Sequence, residues 1–170
     1  GYDVHKVELG IFKDKLVVAC KDFTEENREY RFYEMNKVIN KYTDDVEFTK
    51  LRIENVSFYV ILEEVLYNLD KNSDIKERFY DMFVIDAFIN NNDRHNGNWG
   101  IMTDRKEYKL APIYDNGNSF FPKHSLDKIK EILNNENKFN SVLLNGNTPF
   151  KYKDKNVDSI RVIKKLSLNL

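Results

Sequence analysis

The apolar positions of this chain change period along its length, and each change marks an expected element. Val7, Leu9 and Ile11 alternate with Glu8 and Gly10, the two-residue period of a strand. Phe12-Lys13-Asp14-Lys15 reads as a turn and Leu16 to Ala19 as a short, buried apolar strand. The stretch from Val4 to Phe23 therefore predicts a β-hairpin, with Lys21-Asp22-Phe23-Thr24 as the connector that follows. From Thr24 to about Asp45 the chain is highly charged, with Tyr30, Phe32, Tyr33, Met35, Val38 and Ile39 interspersed, and helix is expected in part of it. A stronger helix is expected from Glu54 to Leu69, where Val56, Tyr59, Val60, Leu62 (or Leu66) and Val65 fall at helical spacing. Asp70-Lys71-Asn72-Ser73 breaks it.

Asp74 stands three residues before Glu77, the spacing of a capping box. The helix it opens carries Ile75, Phe79, Met82, Phe83, Asp86 and Ile89 on one stripe, too apolar for the surface, so it should be central to the domain. Asn90-Asn91-Asn92 ends it, because Asn favours caps and turns over helix interiors. Two short strands follow, around Trp99 to Met102 and Tyr108 to Leu110, joined by the polar turn Thr103 to Lys106. Ala111-Pro112-Ile113-Tyr114 leads to Asp115, and Leu126 to Leu133 reads as a helix with Ser125 as its cap. From Asn134 to Leu170 the pattern is uninformative. No internal repeat or low-complexity linker interrupts the chain.

Composition narrows the function classes. At 170 residues and 41% apolar content the chain supports one domain, or one lobe of a larger fold, with a real core. A formal net charge of -1 argues against nucleic acid or an anionic membrane as partner, since either calls for a basic patch. A single cysteine excludes an intramolecular disulfide framework and favours the cytoplasm. Cys20, at a strand end, is expected to be a small buried hydrophobe. No apolar run approaches the roughly 20 residues of a membrane helix, and the amino terminus is not signal-like.

The chemistry gathers between the central helix and the second hairpin. Asp93 and Asn98 lie five residues apart on one loop, and Asp115 follows after a β-turn-β segment. Phosphoryl transfer needs one carboxylate to accept the proton of the attacking hydroxyl, and an amide oxygen and a second carboxylate to hold Mg²⁺ against phosphates. Asp93, Asn98 and Asp115 fill those roles in that order, at the spacing of the kinase signature. Oxygen ligands suit Mg²⁺. Each piece taken alone is more often plain turn chemistry. The joint order of apolar helix, Asp-x-His-x-x-Asn loop, apolar hairpin and Tyr-Asp favours a site. His95 has no second His or Cys at ligand spacing, which argues against zinc and for a loop-shaping or phosphate-touching role. His5 and His124 are isolated and read as surface residues. Trp99 is expected as a core anchor for the loop.

At Asn92-Asp93-Arg94-His95-Asn96-Gly97-Asn98-Trp99-Gly100 and Leu110-Ala111-Pro112-Ile113-Tyr114-Asp115 the chain resembles the HipA-like serine/threonine kinases, including their shorter CtkA-type members. The resemblance implies Asp93 as proton acceptor, Asn98 and Asp115 as Mg²⁺ ligands, and His95 and Tyr114 close to ATP. The Asp-Arg-His-x-x-Asn string also resembles the loop of phosphoinositide kinases, but Pro112-Ile113-Tyr114-Asp115 favours the HipA side. At the amino end, Gly1 to Phe23 looks like the end of the small lobe and the hinge, where backbone groups at Lys21, Asp22 and Phe23 would face adenine. Residues 24–170 would form the kinase-like large lobe. The implied fold is thus α+β and mainly helical, a kinase-like C-terminal lobe with a short hairpin and hinge at its amino end.

No Gly-x-Gly-x-x-Gly or Walker-type string occurs among the six glycines. The phosphate loop and small-lobe lysine are therefore expected upstream of Gly1, and further helices beyond Leu170. Gly97 stands where HipA-like members often carry Lys, and Asn116-Gly117 where bulkier residues follow the metal Asp. The activity implied is transfer from ATP to Ser or Thr of a protein, in a bacterial cytoplasm or by a translocated effector, with an antitoxin-like protein as a further partner. Two other readings stand beside it: a non-catalytic kinase-like binding module, and a lipid or small-molecule kinase.

Overall fold

The computed structural model describes residues 2–25, 28–42, 66–69, 74–152 and 155–167. In chain order it forms strands β1 (Val7–Phe12), β2 (Lys15–Cys20) and β3 (Arg31–Glu34), then helix α1 (Met35–Tyr42) and a single helical turn α2 (Tyr67–Leu69). The central helix α3 (Asp74–Ile89) follows, then β4 (Gly100–Thr103), β5 (Tyr108–Leu110), α4 (Leu126–Leu133), α5 (Glu136–Leu143), β6 (Asn147–Tyr152), β7 (Lys155–Asp158) and α6 (Ser159–Ser167).

The core forms where α3 meets a three-stranded antiparallel sheet of order β3-β4-β5. Ile75, Phe79, Met82, Phe83 and Asp86 are the buried residues of α3, five of the six positions of the stripe that the sequence predicts; Ile89, at the helix end, is only half-buried. The ring of Phe79 lies 4.9 Å from Trp99 and 5.6 Å from Phe150, so the helix, the loop before β4 and strand β6 share one aromatic cluster. Burying such rings is the largest local stabilising term, about 1.5–3 kcal/mol per large apolar side chain. All four positions of β4 are buried. Gly100 is required there: a Cβ would stand 2.3 Å from the Tyr33 carbonyl oxygen across the ladder. Any side chain at that position would push β3 off β4.

Sequence and structure differ in two places. The charged stretch after Thr24 contributes a strand, β3, as well as helix α1. β3 is four residues long, too short for its alternation to stand out, and its partner β4 lies far along the chain, pairing Phe32 with Met102. The second hairpin is thus a three-stranded sheet. The first hairpin forms as expected, with Val7 opposite Cys20 and Phe12 opposite Lys15. Lys13 and Asp14 both take positive φ, 48° and 58°, the type I′ geometry whose twist suits a two-residue loop. Its second strand is not buried, however: Leu16 is 76% and Val18 60% exposed, and Cys20 is exposed too. A short apolar run such as Leu16 to Ala19 shows that a segment can be extended; it does not say that another layer covers it. Most of the helix expected from Glu54 to Leu69, and the breaker after it, lies outside the described residues. At its end Leu66 and Leu69 are buried.

The remaining elements follow local rules. Ser125 caps α4, its side chain accepting from the Lys128 N–H at 3.2 Å, as the sequence predicts. Asn135 caps α5 in the same way. The uninformative carboxyl stretch supplies the β6–β7 pair and α6, which packs back on α3. Among the described residues no helix is long and apolar enough to cross a membrane.

Candidate active site

The site is built outward from the carboxyl end of α3. Asn90 adopts φ 54°, the left-handed conformation that closes a helix. The Asn91 N–H returns to the Asp86 carbonyl at 2.8 Å and the Asn90 N–H to Ala87, a Schellman ending with Asn in the place usually given to Gly. This geometry turns the chain sharply into Asn92 and Asp93. It also places Asn91 beside Asp86, whose Oδ1 accepts from the Asn91 side chain at 3.0 Å.

Asp86 is a carboxylate on an otherwise apolar stripe, 5% exposed. Buried charge needs a partner. The partner is Arg94, 1% exposed, with both Nε and Nη2 at 2.8 Å from the two carboxylate oxygens. The same guanidinium donates to the carbonyls of Asn98 (2.7 Å) and Tyr114, and to Oδ1 of Asn116 (2.6 Å).

Around this buried centre runs the loop itself. The Asp93 carbonyl accepts from the His95 N–H at 2.8 Å and from the Asn98 side-chain amide at 2.9 Å. The carboxylate of Asp93 is exposed, and among the described residues nothing hydrogen-bonds or ion-pairs with it. Asn98 spends its Nδ2 on the loop, which leaves Oδ1 as an available acceptor. His95 Nδ1 accepts from the Gly97 N–H at 3.1 Å, which assigns the neutral ring's proton to Nε2. A Cβ at residue 97 would stand 3.1 Å from the His95 ring, so Gly97 lets the ring fold back. The loop is fastened below by Trp99, whose indole donates to Asn96 Oδ1 at 3.2 Å. Helix α1 holds it from the side. The N–H groups of Met35 and Asn36, which have no partner within their own helix, donate to the carbonyls of Trp99 (3.0 Å) and Asn96 (2.9 Å).

Asp115 arrives from β5 with φ 51°, between Tyr114 and Asn116 that Arg94 holds on either side. It is exposed, with no protein hydrogen bond to its carboxylate among the described residues. The Tyr114 hydroxyl donates to the Gly97 carbonyl at 2.9 Å, tying the two stretches together again. Burial raises the Tyr114 phenol above its ordinary pKa; the negative charges of Glu34 and Asp115 add to this and Arg94 opposes it. Beyond Asp115 the chain returns to the end of α3, where Asn118 donates to Asn92 and the Phe120 N–H to the Ile89 carbonyl at 2.9 Å.

The amino-terminal candidates reach this region through one ring. Phe23 stacks on Tyr114 at 5.9 Å and meets Phe32 edge-on at 5.3 Å. Lys21 and Asp22 serve the local backbone. The Lys21 N–H donates to Lys6 at 3.0 Å, and its carbonyl accepts from His5 Nε2 at 2.7 Å. Asp22 accepts from the hydroxyl and the N–H of Thr24, and these bonds hold its pKa below the ordinary carboxylate range.

The structure thus brings Asp93, His95, Asn98, Tyr114, Asp115 and Phe23 to one region, with Lys21 and Asp22 at its edge. It also uses three residues to which the sequence pattern gave no site role: Asp86, Asn91 and Arg94. Their signal was present. A carboxylate on a helix stripe otherwise made of Ile, Phe and Met demands a buried cation, and an arginine stands next to Asp93. The oxygens left unclaimed, on Asp93, Asn98 and Asp115, form a sparse hard donor set. Among the described residues no three His, Cys, Asp or Glu side chains gather to hold a metal by themselves. Two carboxylates and an amide suit Mg²⁺ that keeps waters and shares phosphate oxygens.

Comparison with known proteins gives the same direction. Residues 1–161 match the HipA-like C-terminal domain. Over 152 residues the chain is 34% identical to the serine/threonine-protein kinase CtkA of Helicobacter pylori strain J99, covering 85% of this chain and 44% of that protein. The crystal structure of a Helicobacter pylori proinflammatory kinase CtkA aligns with a TM-score of 0.71 at 32% identity, over 92% of this chain and 54% of that one. The chain spans about half the length of these relatives. It shares their kinase-like fold and belongs to the HipA-like C-terminal domain family.

Proposed function

We propose that this chain supplies the hydroxyl-activating and metal-holding half of an ATP- and Mg²⁺-dependent HipA-like kinase that phosphorylates Ser or Thr of a protein. The observation that carries the reading is the set of three oxygen groups that the described residues leave unclaimed, the exposed carboxylates of Asp93 and Asp115 and Oδ1 of the largely buried Asn98, on backbone fixed by the buried Arg94. Bound Mg·ATP supplies the phosphoryl group and neutralises its charge. Asp93 orients the acceptor hydroxyl and takes its proton. Asn98 Oδ1 and the Asp115 carboxylate are the metal ligands, and His95 offers Nε2–H to a phosphate oxygen. Residues 1–23 end a small lobe and form the hinge, with Lys21, Asp22 and Phe23 bordering the nucleotide and Tyr114 between Phe23 and the loop. Residues 24–170 belong to the large lobe.

The test is Asp93→Asn in the intact protein. Autophosphorylation should fall by about 10²–10⁴-fold, the usual contribution of a positioned general base, while far-UV circular dichroism stays unchanged. Full retained activity would remove Asp93 from the chemistry. Phosphate transfer by the wild type to phosphoinositide or sugar acceptors, and not to protein, would replace the protein-kinase reading.

A further inference from the structure

Arg94 has no part in the chemistry just proposed, yet it is the largest of the fully buried side chains among the described residues. A guanidinium has five N–H donors in a rigid fork. Here each has an acceptor: two on Asp86, then the Asn98 carbonyl, the Tyr114 carbonyl and Asn116 Oδ1. The acceptors lie on three separate stretches of chain: the end of α3, the loop, and the segment after β5.

What these acceptors flank decides what the fork does. One is the backbone of Asn98 itself. Two others stand immediately before and after Asp115, whose φ of 51° an L-residue rarely holds without support. Neutralising Asp86 needs only the two bonds to its carboxylate; the other three go to the backbone of Asn98 and to the two neighbours of Asp115, the residues assigned to the metal. A lysine could neutralise Asp86 but has a single nitrogen and no fork.

We infer that Arg94 is a positioning residue that sets the separation of Asn98 and Asp115 and so tunes how tightly the site holds its divalent cation. The inference rests on the metal roles given to those two residues above. It assigns to Asp86 a different job, that of anchoring the fork to α3.

The experiment measures Mn²⁺ binding to the intact protein with a non-hydrolysable ATP analogue, by electron paramagnetic resonance, alongside the thermal midpoint. Arg94→Lys should weaken Mn²⁺ by about 10–100-fold, the range found when groups that orient metal ligands are removed. Asn116→Ala removes one exposed arm of the fork's contacts and should fold normally while weakening Mn²⁺ by a smaller factor in the same direction. Wild-type affinity in folded Asn116→Ala and in Arg94→Lys would overturn the inference. So would wild-type affinity in folded Asn116→Ala where Arg94→Lys fails to fold, because Arg94 would then serve the fold alone. Asp115→Asn separates the two layers of argument. If it weakens Mn²⁺ and the Arg94 and Asn116 variants do not, the metal assignment stands and the positioning role falls. If it leaves Mn²⁺ untouched while Arg94→Lys weakens it, Asp115 loses its metal role and Arg94 acts through Asn98.

Discussion

Two hairpins in this chain read much alike in sequence, and the fold treats them in opposite ways. β1–β2 and β4–β5 each join short apolar strands through a tight polar turn. In β4 every position is buried, between β3 and β5 and against α1, with α3 packed on the neighbouring β5. In β1 and β2 only Gly10 and Val17 escape full exposure, and Leu9 and Ile11 are 75% and 78% exposed. The segment that carries the hairpin meets the rest of the described chain beside it, where Val4 bridges Ile113, the Asp3 carbonyl accepts from Ile113 and Arg78, and the Phe23 ring lies against Phe32 and Tyr114. The difference teaches that local pattern selects the strand, while neighbours far along the chain decide how much free energy its apolar residues contribute. It also locates the rigidity of the site, which hangs from β4, β5 and α3.

The largest test of the contrast is truncation inside the buried sheet. Ile101 is 1% exposed and stands opposite Tyr33 on one side and Leu110 on the other. Ile101→Ala should destabilise the chain by about 2–5 kcal/mol, read as a lower urea midpoint at unchanged slope. A loss under 1 kcal/mol would mean that β4 is not the load carrier its burial suggests.

The same contrast explains what the sequence made legible. The α3 stripe, the Asn-rich stop, the two strands beyond the loop and the Ser125 cap depend on near neighbours, and periodicity and capping chemistry encode these directly. The order Asp93, Asn98, Asp115 was readable for the same reason, since the spacing of the motif is local. β3 was not, because its partner is β4, with Phe32 opposite Met102 and no nearby residue to announce it. Arg94 illustrates the harder case. Its neighbours in sequence drew attention, yet its role depends on acceptors from Asp86 to Asn116, and no period connects these. The exposure of Cys20 was missed because a thiol at a strand end says nothing about whether a layer lies above it.

A smaller effect is expected where the two regions meet, at Tyr114. Its hydroxyl donates to Gly97 and its ring stacks on Phe23, so Tyr114→Phe removes the bond and keeps the stack. At neutral pH this should cost about 0.5–1.5 kcal/mol. The alkaline limb carries the sharper reading. The folded pKa lies above the unfolded one, mainly through burial. Below about pH 10 both states hold the proton and the full stability is present. As pH rises further the unfolded chain loses its proton first, and stability drains away toward the folded pKa. Stability curves from pH 8 to 11 should therefore converge, with Tyr114→Phe falling less steeply than the wild type above about pH 10. Parallel curves would mean that the phenol is not buried as the ring contacts require.

The smallest expected effect is in the exposed hairpin, and it tests the comparison most directly. Leu9 and Ile11 lie on one face of β1, opposite Val18 and Leu16. At their exposure most of each side chain already meets water, so removing it forfeits little transfer free energy and opens no cavity. What remains is the cross-strand contact with Val18 and Leu16, worth a few tenths of a kcal/mol. Leu9→Ser and Ile11→Thr should each shift the stability of this chain by no more than about 0.5 kcal/mol, against the several expected at Ile101. A loss above 1 kcal/mol from either, measured by the same urea titration, would mean that another layer covers this face, and the two hairpins would then differ only in turn chemistry.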